Sequence, residues 1–102
     1  MQDFILAKRE EIAELCRKYH VRRLSVFGSA ARDDFDPATS DVDIIVEFED
    51  LPLKEYVENK YSLHDELAAR LHRKVDLLTW KTLRNPVIRR EVESTHVMLY
   101  AA

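Results

Sequence analysis

Glycine is almost missing from this chain: 102 residues contain one, Gly28, where average usage would place about seven. Turns must then come from Asp, Asn and Pro, and the one glycine kept is expected where no other residue fits. Cysteine is equally scarce. Cys16 stands alone, which excludes an internal disulfide and points to a reducing, cytoplasmic setting; within a helix it reads as a small buried apolar group. Long hydrophobic runs are absent, because stretches such as Ile44-Ile45-Val46 fall far short of the roughly 20 residues that span a bilayer. Met1 to Glu11 mixes acids and bases with no apolar segment of signal-peptide type. Positive charge is not in excess either: 16 Lys+Arg face 19 Asp+Glu, a net charge of −3, which argues against a grip on nucleic acid through its phosphates. No repeat, low-complexity stretch or Gly/Ser linker divides the chain, so one domain over residues 1–102 is expected. What is present, 46% hydrophobic and 34% charged residues, is the make-up of a soluble globule.

Apolar residues recur with helical spacing at Ile5, Ile12, Leu15, Cys16 and Tyr19, so Gln2 to Tyr19 reads as one helix. Val21 to Phe27 alternates and reads as a strand closed by Gly28-Ser29. A short helix starts near Ala30, and Asp33 to Ser40 is a polar loop marked by Asp36-Pro37. Asp41 to Glu49 is the strongest strand, β-branched on both faces at its centre. After Pro52, the spacing of Tyr56, Leu63, Leu67 and Leu71 predicts a helix ending near His72. Val75 to Thr79 is a third strand. Asn85-Pro86 supplies an N-cap and a first-turn proline for a helix through about Val92, and Val97 to Tyr100 makes a last short strand. This alternation predicts an α+β fold, an α/β sandwich with helices covering a small mixed sheet.

Three aspartates stand out on that frame. Asp41 and Asp43 are two apart, so on a strand they share a face. Carboxylates are depleted from strands, costly to bury, and repel one another when adjacent. A divalent cation resolves all three difficulties, and Mg²⁺ suits hard oxygen donors beside substrate phosphates. Alone, the pair is better explained by a loop that leaves only Asp43 half-buried. Asp76, in the otherwise apolar Val75-Asp76-Leu77-Leu78, shifts that balance: if its strand lies beside the Asp41–Glu49 strand, three carboxylates can converge on a metal pair. Gly28-Ser29 follows a strand, where backbone N–H groups and a hydroxyl can meet an anion, and Arg32 can add a bidentate phosphate contact. A plain strand-to-helix turn is the simpler account of Gly-Ser taken by itself. His20, His64, His72 and His96 show no ligand spacing with Cys16 and read as surface or helix-end residues. Tyr61 and His64 read as packing or interface residues, Trp80 as core, and Arg84, Arg89 and Arg90 as a solvated helix face.

Taken together, Phe27-Gly28-Ser29-Ala30-Ala31-Arg32, Ser40-Asp41-Val42-Asp43-Ile44-Ile45-Val46-Glu47-Phe48 and Val75-Asp76-Leu77 resemble the minimal nucleotidyltransferases of the DNA polymerase β superfamily. Within that group the chain is similar to the small MNT/MntA-type antitoxins encoded beside HEPN-type toxins, and Ile88 to Tyr100 is similar to the family's usual ending. The pattern departs at Asp33, where the family often has Gly. The resemblance implies a polymerase β-like nucleotidyltransferase fold. It implies that Gly28, Ser29 and Arg32 bind the nucleotide, and that Asp41, Asp43 and Asp76 are the catalytic residues and hold two Mg²⁺ ions. It further implies transfer of AMP from ATP to a hydroxyl, with a tyrosine of a HEPN-type toxin as the expected acceptor. The alternative is a binding module that neutralises its partner by contact alone. The acceptor, the nucleotide preference and the oligomeric state, a homo-oligomer included, are left open by the sequence.

Overall fold

Two apolar faces meet to make the core. On the strand Val42–Phe48 (β2), alternate residues Val42, Ile44, Val46 and Phe48 are buried together with Leu24 and Val26 of Val21–Phe27 (β1). Against them pack Ile12, Leu15 and Cys16 from the helix Arg9–Lys18 (α2) and Leu63, Leu67 and Leu71 from the helix Leu53–Leu71 (α3). The i, i+4 spacing of those three leucines puts them on one stripe of α3. The computed structural model describes residues 1–32 and 34–102; Asp33, the departure from the family pattern, lies outside the described residues.

The sheet has the order β3-β2-β1-β4, with β3 at Val75–Thr79 and β4 at Val97–Ala101. β1 is antiparallel to both of its neighbours, whereas β3 runs parallel to β2. A parallel neighbour needs a long crossover, and α3 is that crossover. The expected α+β sandwich with a small mixed sheet is what forms.

The expected single N-terminal helix is two. A short helix, Asp3–Leu6 (α1), precedes α2. Apolar spacing runs through the break, so local pattern gives no sign of it. Distant bonds do: the Gln2 N–H donates to the Ala30 carbonyl at 3.2 Å, the Gln2 side chain to the Arg32 carbonyl at 2.9 Å, and Phe4 packs on Phe35. These contacts tie α1 to the turn and loop after β1. The last helix, Pro86–Thr95 (α4), starts at Asn85 as read, its side chain accepting from the Val87 and Ile88 amides, but runs past Val92. The Ser94 and Thr95 hydroxyls donate to the Glu91 carbonyl over that extra turn.

The scarcity of glycine is met by the expected kind of turn at Asp36-Pro37, where the Ala38, Thr39 and Ser40 amides bond back to Asp36, and by a second device. Among the described residues, two left-handed positions are occupied by histidines, His20 at φ 60° and His72 at φ 54°, besides Gly28 at φ 67°. His72 closes α3 in the place glycine usually takes.

Candidate active site

β1 ends at Phe27, and Phe27 is paired with Asp43 across the antiparallel ladder. Asp43 is paired in turn with Asp76 across the parallel one. Directly opposed residues share a face, so both aspartates project from the side of the sheet away from α2 and α3. Phe27, Ser25, Ile45 and Leu78 lie on that same face by register. The strand pairing that the metal reading required is therefore present, and Asp43 and Asp76 are adjacent. Asp41 lies just before β2, and its carboxylate is drawn to Lys74 Nζ at 3.7 Å. Among the described residues, no three His, Cys, Asp or Glu side chains are already gathered as a metal-binding group.

The electrostatics of Asp43 record this crowding. Its carboxyl is pushed from 3.8 up to about 6, first by burial, then by the charges of Asp76 and Asp41 and a hydrogen bond to Asp76; Arg32 opposes the shift. A proton between two carboxylates does what a cation would do. The donor set, hard carboxylate oxygens with excess negative charge on an accessible face, fits a divalent ion such as Mg²⁺.

Gly28 meets this pair from β1. At φ 67° its backbone is in the left-handed region, and a Cβ there would run into Asp43 Oδ2. Two constraints thus demand glycine: the backbone angle and the space for a carboxylate. Gly28–Ala30 forms one turn of 3₁₀ helix (η1), in which the Ala31 and Arg32 amides bond back to the Gly28 and Ser29 carbonyls. The Gly28 and Ser29 N–H groups have no partner within the turn, as at any helix start. Arg32 is exposed and forked onto Asp34, with contacts of 3.0 and 3.2 Å; that partner holds the guanidinium pKa above its ordinary value. The nucleotide-binding candidates thus cluster with Asp43, with Arg32 occupied by a neighbouring carboxylate.

Some residues behave differently from their sequence reading. Arg84 and Arg90 are exposed as read, while Arg89, partly exposed beside Glu93, also reaches inward: it donates to the Trp80 carbonyl at 2.6 Å and crosses the Trp80 ring. Trp80 is held between Arg89 and His96. A cleft of about 710 Å³ opens there, lined by Glu47, Phe48, Trp80, Lys81 and Arg89 among others. It lies about 13 Å along β2 from Asp43, given the rise per strand residue, so the carboxylates are not its lining. Lys74 escaped notice because its approach to Asp41 depends on the parallel register; only its place just before a strand hinted at it. Cys16 is fully buried, and burial pushes its thiol up to about 12, an inert packing residue as read.

Comparisons with known proteins give the family and the fold. Residues 9–98 match the nucleotidyltransferase domain family. A Methanocaldococcus jannaschii protein, provisionally named a protein adenylyltransferase, is 35% identical over 86 residues, 83% of either chain. Protein adenylyltransferase MntA of Thermococcus cleftensis is 33% identical over 88 residues, 85% of this chain and 81% of that one. A solved structure described as a minimal nucleotidyltransferase superposes with a TM-score of 0.68 at 28% identity, covering 94% of this chain and 95% of the other. The MNT antitoxin complexed with tri-AMPylated Shewanella oneidensis HEPN toxin shares the fold, with a TM-score of 0.64 at 22% identity over 95% of this chain and 72% of that one. The glycine turn set against paired aspartates is thus found in a chain whose length is nearly all accounted for by one family: it belongs to the nucleotidyltransferase domain family.

Proposed function

We propose that this chain is a Mg²⁺-dependent protein adenylyltransferase that moves AMP from ATP to a hydroxyl of a HEPN-type toxin, a tyrosine by preference, and so acts as its antitoxin in the cytoplasm. The observation that carries this reading is the row Phe27, Asp43, Asp76 across the sheet, with the Gly28 turn opening onto the middle carboxylate. The Thermococcus relative named a protein adenylyltransferase, 33% identical, supports the substrate class.

In this mechanism the Gly28 and Ser29 turn receives the triphosphate through its N–H groups and the Ser29 hydroxyl. Arg32 leaves Asp34 to meet a phosphate oxygen. Asp41, Asp43 and Asp76 would hold divalent metal, which when bound would neutralise phosphate charge and favour the ionised acceptor. Asp76 accepts the proton of the attacking hydroxyl. The acceptor oxygen bonds to the α-phosphorus, the bond from that phosphorus to the bridging oxygen breaks, and pyrophosphate leaves. Catalysis of this kind is mostly placement and charge neutralisation. The exposure of Asp76 beside half-buried Asp43 suits a protein acceptor, whose own surface can complete the site.

Incubation with Mg²⁺, labelled ATP and a HEPN-type partner tests the proposal. Label is expected on the partner, with loss of at least about a thousandfold in Asp43→Asn, on the scale of removing a group essential to charge stabilisation. A partner left unlabelled yet fully inhibited by Asp43→Asn would replace this reading with inhibition by contact.

A further inference from the structure

Asp76 lies on β3, an outer strand of the sheet, where, among the described residues, one side of the backbone has no neighbouring strand. By register its carbonyl accepts from the Ile44 amide of β2, and its N–H is held through the Val75–Asp76 peptide unit. The Val42 amide bonds to the Lys74 carbonyl at 3.0 Å, and the Val42–Val75 pairing sets the Asp76 N–H on the Val42 carbonyl. In a parallel ladder the Val75 carbonyl then faces outward, away from β2. That carbonyl is met by a side chain from another element: His64 of α3 brings Nε2 to 2.8 Å from the Val75 oxygen. A carbonyl can only accept, so Nε2 carries the hydrogen and donates it. The other ring nitrogen, Nδ1, faces Asp65 Oδ1 at 3.1 Å.

We propose that His64 is a positioning residue for Asp76. The peptide unit between Val75 and Asp76 is planar, so holding its oxygen from α3 and its N–H from β2 fixes the plane from both sides. The direction in which the Asp76 side chain leaves the backbone follows from that plane. Without His64, the outward carbonyl turns to water and the strand is held from one side only. His64 is well placed for this role because α3 is rigidly seated: Leu63 and Leu67, on either side of it in the sequence, are fully buried. The inference rests on the proposed role of Asp76, and its test separates the two.

The variants are His64→Phe, which keeps the ring and loses the donor, and His64→Gln, which restores an N–H donor on a flexible side chain. The first readout uses metal-free protein: amide exchange at Asp76 should quicken about tenfold in His64→Phe, with Ser25 and Ile45, paired between β1 and β2, unchanged. The second is Mn²⁺ binding to the protein alone, expected to weaken about tenfold. The third is AMP transfer, in which kcat falls about tenfold or more while KM for ATP stays within about twofold. His64→Gln should recover part of each loss. If His64→Phe does not fold, His64→Asn, polar and too short to reach Val75, takes its place with the same expectations. Unchanged Asp76 exchange overturns the inference, and so does faster exchange with Mn²⁺ affinity intact. Should the wild-type protein transfer no AMP to any acceptor, the functional reading fails, and the exchange and Mn²⁺ measurements still decide the role of His64.

Discussion

Asp43 lowers the stability of the protein that carries it. Its folded-state carboxyl titrates at about 6 against 3.8 for the free group, so the unfolded chain gives up this proton more readily than the folded one. Folding is therefore opposed increasingly as pH rises from about 4 to about 6, and by a constant amount above that. Asp43→Asn removes the penalty with little change of volume. At pH 7.5 the variant should be more stable to urea by about 1–2 kcal/mol, after allowance for solvent screening, and the difference should vanish below about pH 4. A variant no more stable than wild type at pH 7.5 would mean that burial, with the crowding by Asp76 and Asp41, does not raise the Asp43 carboxyl in solution. The aspartates were conspicuous in the sequence because acids are rare in strands. Their mutual strain was not legible, since it depends on the register that sets Asp43 beside Asp76. Gly28 was legible as a special position from its solitude alone, although the reason, a carboxylate in the space of its Cβ, needed the fold.

Among elements, α3 shows how far pattern reading reaches. Its leucine stripe, its start after Pro52 and its end at His72 all follow from the sequence, because burial of one helix face is a local periodic signal. The strands β1, β2 and β3 were legible for the same reason. What escaped is set by contacts between distant residues: the break between α1 and α2, made by Gln2 reaching the carbonyls of Ala30 and Arg32, and the tie from Arg89 to Trp80. The left-handed close of α3 also escaped, since nothing in the histidine announces it. A side chain in that conformation costs about 1–2 kcal/mol, part of which glycine returns as extra freedom in the unfolded chain. His72 is exposed. His72→Gly should therefore stabilise by about 0.5–1 kcal/mol and raise Tm by about 3–6 °C for a domain of this size. A fall in Tm on calorimetry would show that the imidazole makes a contact worth more than the strain.

At the scale of the whole molecule, the described helices include none long and apolar enough to cross a membrane, and the Cα radius of gyration, 13.0 Å, is that of a folded chain of this length. Within that small body the site is drawn from Gly28, Asp43 and Asp76, and the pairing of β3 parallel to β2 gives these pieces an order in time. Phe27 meets Asp43 when a loop of modest length closes, whereas Asp76 arrives only after the whole of α3 has crossed the sheet. Loop closure is paid for before distant contacts reward it, so the β1–β2 pairing is expected in the folding transition state and β3 after it. Val26→Ala, on β1, should then act mainly by slowing folding, and Leu77→Ala, on β3, mainly by quickening unfolding. Stopped-flow chevrons with Trp80 as the reporter distinguish the two, and the reverse partition would refute the order. Run backwards, the same order means that on the unfolding path Asp76 parts from Asp43 while β1 and β2 are still joined, so that the proposed metal site comes apart before the sheet dissolves.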